Sequence, residues 1–197
     1  EELQAFSEQS GDLYFQITRR TAWAYGNATM GPMHYAITNN LIPNNAVLFH
    51  CNYVTGYELS LLTAKNVSIV ICPHYSQAVG HKAFPLDVAR GRKITICVGT
   101  ESINDSGASS LFDELYALKR LYPHIPAREF IRWVTQNPAR ALKMTGKLGA
   151  LVPGAYADII GVTFAHDPRE DVLEELLTEE PLVRFAMING EEVIVDY

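Results

Sequence analysis

Three short runs, residues 46–51 (AVLFHC), 67–72 (VSIVIC) and 93–98 (KITICV), are apolar almost throughout instead of alternating. Unbroken apolar runs of this length suit strands buried on both faces of a parallel sheet. Their starts lie 21 and 26 residues apart, which leaves room for a helix in each connection. In the first connection Thr55 and Glu58 have the spacing of a capping box, and Leu59, Leu62 and Ala64 supply an apolar face that ends before Asn66. In the second, GHKAFPL precedes a short helix near residues 87–90, closed by Gly91. After the third run Ser109 and Ser110 sit at an N-cap, and Leu111, Leu115, Leu118 and Tyr122 recur at helical spacing up to Pro123. The predicted order is βαβαβα.

A further helix is predicted over 127–135, and Asn137 with Pro138 reads as an N-cap and first-turn proline opening another that ends at Gly146. Past Gly146, residues 148–152, 157–164 and 183–197 read as strands, the last carrying a hairpin turn at Asn189-Gly190. Residues 171–177 form a short acidic helix in this reading. Near the start, LYFQITRRTAWAY fits helix or strand by periodicity and is read as helix, because it must bridge to the run at 46. An eight-stranded β/α barrel takes about 250 residues. Three clear strands in 197 residues leave either a small open α/β sheet or the later part of a barrel.

Composition narrows the function classes. Hydrophobic residues make up 48% and charged residues 19%, ordinary globular usage. A net charge of -6, with no basic cluster interleaved with aromatics, excludes a nucleic-acid polymer as partner. No apolar run approaches the roughly 20 residues of a membrane span, and EELQAFSEQSGD is too acidic for a signal peptide, so a soluble cytoplasmic protein with no membrane partner is expected. Cys51, Cys72 and Cys97, an odd number in or beside apolar runs, suit buried free thiols in a reducing compartment.

The chemistry clusters at strand ends, where parallel α/β folds place their sites. His50 ends the first run, Pro73-His74 follows the second, and Thr100-Glu101-Ser102 follows the third. Each alone has a structural reading, as a hydrogen-bonded histidine or a helix-capping acid. Their succession on one rim of one sheet is what marks a candidate site. A histidine and a carboxylate on nearby strands suit metal-assisted hydrolysis, the imidazole orienting a water and the carboxylate binding metal and moving a proton. They suit a metal-free hydrogen-bonded pair equally. Cys51 is a poor nucleophile for His50, since successive strand side chains point to opposite faces. His34, His124 and His166 read as surface residues, Asp158 as a turn residue, and Trp23 and Trp133 as core anchors.

HCNYVTGYELSLLTAKNVSIVICPHYSQAVGHKAFPL, followed by VGTESINDSGASSLFDEL, resembles the later barrel strands of the amidohydrolase superfamily, in its chlorohydrolase and aminohydrolase (deaminase) branch. TQNPARAL and GALVPGAYADIIGV are similar to the stretch leading from that barrel into a small β-sandwich. The resemblance covers about residues 46–197, and GHKAFPL is similar to the aminodeoxyfutalosine deaminase-like subgroup. It implies an α/β fold: residues 1–146 as the C-terminal half of a (β/α)8 TIM barrel and 147–197 as strands of the β-sandwich.

The resemblance further implies that His50 contacts substrate and reactive water. Glu101 stands where the family has a metal-binding, proton-moving aspartate, one methylene longer and so displaced by about an angstrom, a shift that can cost 10²-fold in rate. His74 and Ser76, in the loop after the second run, are implied to shape the substrate pocket; His81, also read as a loop residue, is a solvated histidine or a further substrate contact. EELQAF is similar to the helix start just after the family's fifth strand, so the remaining metal ligands are expected before residue 1.

The whole enzyme is then expected to hydrolyse a C–N or C–Cl bond of a nucleoside-like or heterocyclic small molecule with zinc or iron. Residues 1–197 alone are expected to bind metal weakly, to turn over negligibly, and to form a homo-oligomer or associate with the missing N-terminal part. The alternative is a non-catalytic relative with a degraded metal site that acts in binding or assembly.

Overall fold

The computed structural model describes residues 31–101, 110–167, 171–179 and 181–193. The expected helix in residues 13–25, Trp23, Ser102 and Ser109 lie outside them. Helix α1 (Pro32–Thr38) leads into β1 (Val47–Phe49), α2 (Gly56–Thr63), β2 (Ser68–Ile71), α3 (Pro73–Ala78), α4 (Leu86–Gly91) and β3 (Thr95–Val98). The three strands are parallel in the order β1-β2-β3, with Val47 opposite Ser68 and Ile71 opposite Val98. Every residue of β3 is buried, as are three of the four in β2, which is what their unbroken apolar sequence requires. β1 is different: Phe49 is 59% exposed.

Helix α5 (Leu111–Leu121) follows, then α6 (Ala127–Val134) and α7 (Gln136–Ala141). Both capping boxes form. Thr55 Oγ1 accepts from the Glu58 N–H while Glu58 accepts from the Thr55 N–H at 2.7 Å, and Ser110 with Asp113 does the same for α5. Leu59 and Leu62 of α2, Leu86 of α4, Leu115 of α5 and Phe130 of α6 are wholly or almost wholly buried with Ile69 and Ile96 of the sheet. Trp133, 4% exposed and edge-on to Phe130 at 4.9 Å, is the core anchor its sequence position suggests.

A second sheet, β4 (Ile159–Thr163), β5 (Leu182–Ile188) and β6 (Glu191–Val193), is antiparallel, with α8 (Val172–Leu176) between its first two strands. Asn189-Gly190 makes the β5–β6 turn with positive φ at both residues, as a two-residue hairpin demands. Asp158 accepts a 2.7 Å hydrogen bond from the Asn189 N–H, which gives it the turn role expected of it.

Three local expectations need correction. Residues 148–152 form no strand; Leu148 makes only a lone bridge with Thr145 in a series of turns. Gly149 explains the bend, because at φ +81° a Cβ there would lie 2.5 Å from the Thr135 carbonyl oxygen. Asn137 is not a helix cap: α7 starts before it and ends at Ala141, well short of Gly146, while Asn137 Nδ2 donates to the Ile96 carbonyl at 2.7 Å. Finally, the segment after Cys72, read as loop, begins with a helix, α3, its first turn preset by Pro73.

Candidate active site

The strand ladder continues past the ends of β1 and β3, each pairing with β2. His50 N–H donates to Val70 O at 2.8 Å and Gly99 N–H to Ile71 O at 3.0 Å, so the carboxyl ends of the strands share one rim. Gly99 sits close here, and a Cβ would lie a tight 3.2 Å from Val70 Cγ1. At the rim the chain turns sharply: His50, Cys51 and Glu101 have φ of 62°, 51° and 55°, the left-handed region that non-glycine residues enter at a cost. These turns bring His50 and Glu101 together from β1 and β3 across the intervening β2. His50 Nε2 lies 3.7 Å from Glu101 Oε2, and both side chains remain partly open to solvent. That spacing is an ion-pair contact and too long for a hydrogen bond.

The donor chemistry fits a share of a metal site. Zinc takes nitrogen and oxygen ligands at about 2.0–2.2 Å, so a pair 3.7 Å apart can flank one ion. Among the described residues, however, no group of three His, Cys, Asp or Glu is placed to hold one.

The other predicted residues fall into two environments. Tyr75, on α3, places its ring 5.2 Å from the His50 imidazole, tilted by 34°. His81 meets Tyr75 edge-on at 6.3 Å and Tyr53 at 6.0 Å, so His81 is exposed yet linked to the pair through one ring. His74 turns elsewhere, its Nδ1 3.3 Å from a carboxylate oxygen of Glu114. Ser76 is buried, and its Oγ accepts from Asn52 Nδ2 at 3.1 Å. The same Asn52 amide donates to Lys82 O at 2.6 Å and so ties the β1 end to the loop carrying His81. Asn52, Ser76 and His81 edge a cavity of about 340 Å³ walled by Ile71, Phe84 and Leu118; neither His50 nor Glu101 lines it.

Three participants were missed from sequence: Tyr75, Asn52 and Glu114. Glu114 is 0% exposed. Burial pushes its carboxyl above the ordinary glutamate value, opposed by the His74 main-chain N–H and ring. Its signal lay in the sequence, an acid at helical spacing with Leu118 and beside Leu115. Cys72, at the end of β2, reports both carboxylates: burial, then the negative charges of Glu101 and Glu114, push its thiol up to about 12.

A parallel β/α sheet with a histidine and a carboxylate converging at its carboxyl rim defines the class as a β/α enzyme-type fold. Residues 23–193 match the amidohydrolase family, and the chain belongs to that family. Two relatives, both 5-methylthioadenosine/S-adenosylhomocysteine deaminases, are those of Nitratidesulfovibrio vulgaris strain DP4, 25% identical over 84% of this chain, and Pyrococcus horikoshii, 28% identical over 80%. The chain spans about two fifths of the length of these curated relatives, 40% and 41%.

Among solved structures, an adenosine deaminase from Xanthomonas campestris with bound zinc superposes with a TM-score of 0.79 at 19% identity, over 97% of this chain and 43% of that one. Helicobacter pylori aminofutalosine deaminase in complex with methylthio-coformycin gives 0.75 at 20% identity, over 98% and 48%. These likenesses show the fold, a TIM-barrel-type α/β domain.

Proposed function

We propose that this chain is the C-terminal part of a metal-dependent amidohydrolase that deaminates a nucleoside-like or heterocyclic amine by hydrolysis. In this reading its parallel sheet is the last part of a (β/α)8 barrel within residues 1–146, and residues 147–197 supply strands of a β-sandwich. The convergence of His50 and Glu101 at 3.7 Å on the carboxyl rim carries the reading. Support comes from family membership and from relatives named as deaminases.

Glu101 would hold the metal, zinc by analogy with the zinc-bound neighbour, and ligands outside the described residues would complete the site. When bound there, a metal would supply the Lewis acidity that lets water act as a nucleophile at neutral pH. Glu101 then accepts the proton of the attacking water and passes it to the leaving amine. His50, beside it, donates a hydrogen bond to the charge that develops at the reacting centre. Tyr75 and His81 form one wall for a planar substrate, with Ser76 and His74 held behind it.

The test uses the full-length protein loaded with zinc and 5′-methylthioadenosine or adenosine as probes, with ammonia release and bound metal both measured. Stoichiometric zinc and turnover are expected. Glu101→Gln should lower turnover by about 10²-fold or more, and Glu101→Ala should lose metal. No metal and no ammonia from any heterocyclic amine would overturn the reading in favour of a binding or assembly role.

A further inference from the structure

Glu114 stands on the buried face of α5 with Leu115 and Leu118, and its side chain has no exposure. A carboxylate in such a place is costly unless hydrogen-bonded, and an apolar residue would pack there at less expense. What leucine cannot supply is an acceptor. Glu114 Oε2 accepts the main-chain N–H of His74 at 3.0 Å, a first-turn donor of α3 that no carbonyl of its own helix can take. Helix α3 has no side-chain cap of its own, so a residue 40 positions along the chain does that work. The same oxygen lies 3.3 Å from His74 Nδ1, a close polar contact without hydrogen-bond geometry, so the main-chain bond is what holds the turn. The next residue in that turn is Tyr75, whose ring lies 5.2 Å from the His50 imidazole.

We propose that Glu114 is a positioning residue: from α5 it holds the first turn of α3, and through that turn it sets the Tyr75 ring against His50. It touches neither His50 nor Glu101 and acts only through α3. The kinetic half of this inference rests on the hydrolase reading; the geometric half does not. The distinction from a merely structural acid lies in what a substitution should spare. A general loosening of the fold would raise KM and lower stability together. A displaced Tyr75 should alter the orientation of His50, and so kcat, with substrate affinity largely kept.

The experiment compares Glu114→Leu and Glu114→Gln in the zinc-loaded full-length protein, with thermal melts confirming that each is folded. With 5′-methylthioadenosine as probe, Glu114→Leu should lower kcat by about 10- to 100-fold while KM stays within about threefold. At one fixed pH, the His50 ring-proton resonances should lose the ring-current shift imposed by Tyr75. Glu114→Gln, whose carbonyl oxygen can still accept from His74, should restore both to within about threefold of wild type. Should Glu114→Leu not fold, Glu114→Asp, which withdraws the acceptor by one methylene, carries the same expectations. Unmoved His50 resonances, a change confined to KM, or a Gln variant as impaired as the Leu variant would each overturn the proposal. If the wild-type protein turns over no probe, the hydrolase reading has failed and the resonances alone decide.

Discussion

At the scale of single residues, the rim was legible because strand ends are. His50 and Glu101 could be picked out as polar groups terminating apolar runs, and the geometry does bring them within 3.7 Å. Glu114 was not picked out, since a carboxylate inside a helix ordinarily faces water, and only its spacing with Leu118 marks it as buried. That burial has a measurable consequence. Its folded pKa is raised above the value near 4.5 of an unfolded glutamate. The protonated acid is therefore favoured in the folded state, and the associated stability is full below that value and lost as pH rises through the folded one. Denaturation followed as pH rises from about 4.5 should show wild type progressively losing stability relative to Glu114→Gln; parallel curves would refute it. The thiols make a second case. Burial pushes Cys51 and Cys72 up to about 12 and Cys97 up to about 11, which leaves almost no thiolate at pH 8. Cys72 and Cys97 are buried as expected, whereas Cys51 is only half-buried; alkylation at that pH should be slow in the native protein and complete in denaturant, and rapid native labelling of Cys72 or Cys97 would contradict their burial.

At the scale of elements, whatever rests on neighbours in sequence was readable. The Thr55–Glu58 box, the Ser110 cap and the Asn189-Gly190 turn each satisfy their own backbone within a few residues. Elements that depend on distant partners were misread. Asn137 followed by Pro138 looks like a local cap, yet its side chain donates across to β3 at Ile96 O, beside the 2.8 Å bond from Arg140 to Thr95 Oγ1. Residues 148–152 have strand composition, but Gly149 packs against the Thr135 carbonyl and turns the chain. Helix α3 was hidden because its first turn is completed from α5. The two readings of Asn137 diverge under one substitution. Aspartate caps helices as well as asparagine does, so a cap would tolerate Asn137→Asp. A donor to a carbonyl would not, because an ionised carboxylate only accepts. The expected loss is about 2 kcal/mol by urea denaturation, and a neutral result would restore the capping role.

At the scale of the whole molecule, the parallel sheet sets the strongest constraint. β2 is paired on both sides, whereas among the described residues β1 and β3 each pair on one side only. β3 and all but Val70 of β2 are buried, but Phe49 on β1 is 59% exposed, a large apolar side chain on an edge strand. Unpaired strand edges beside apolar surface recruit further strands. In the barrel reading those edges are closed by strands from the remainder of a longer protein, which also brings the missing metal ligands. Closure and catalytic competence are then one event, since the same added strands finish the sheet and the site. Residues 1–197 expressed alone should therefore self-associate, with a scattering mass that rises with concentration, and should bind zinc weakly. Supplying the remainder should reduce the association and raise zinc affinity in parallel. A concentration-independent monomer would show that the edges are protected within this chain, and the barrel argument would then lose its physical basis.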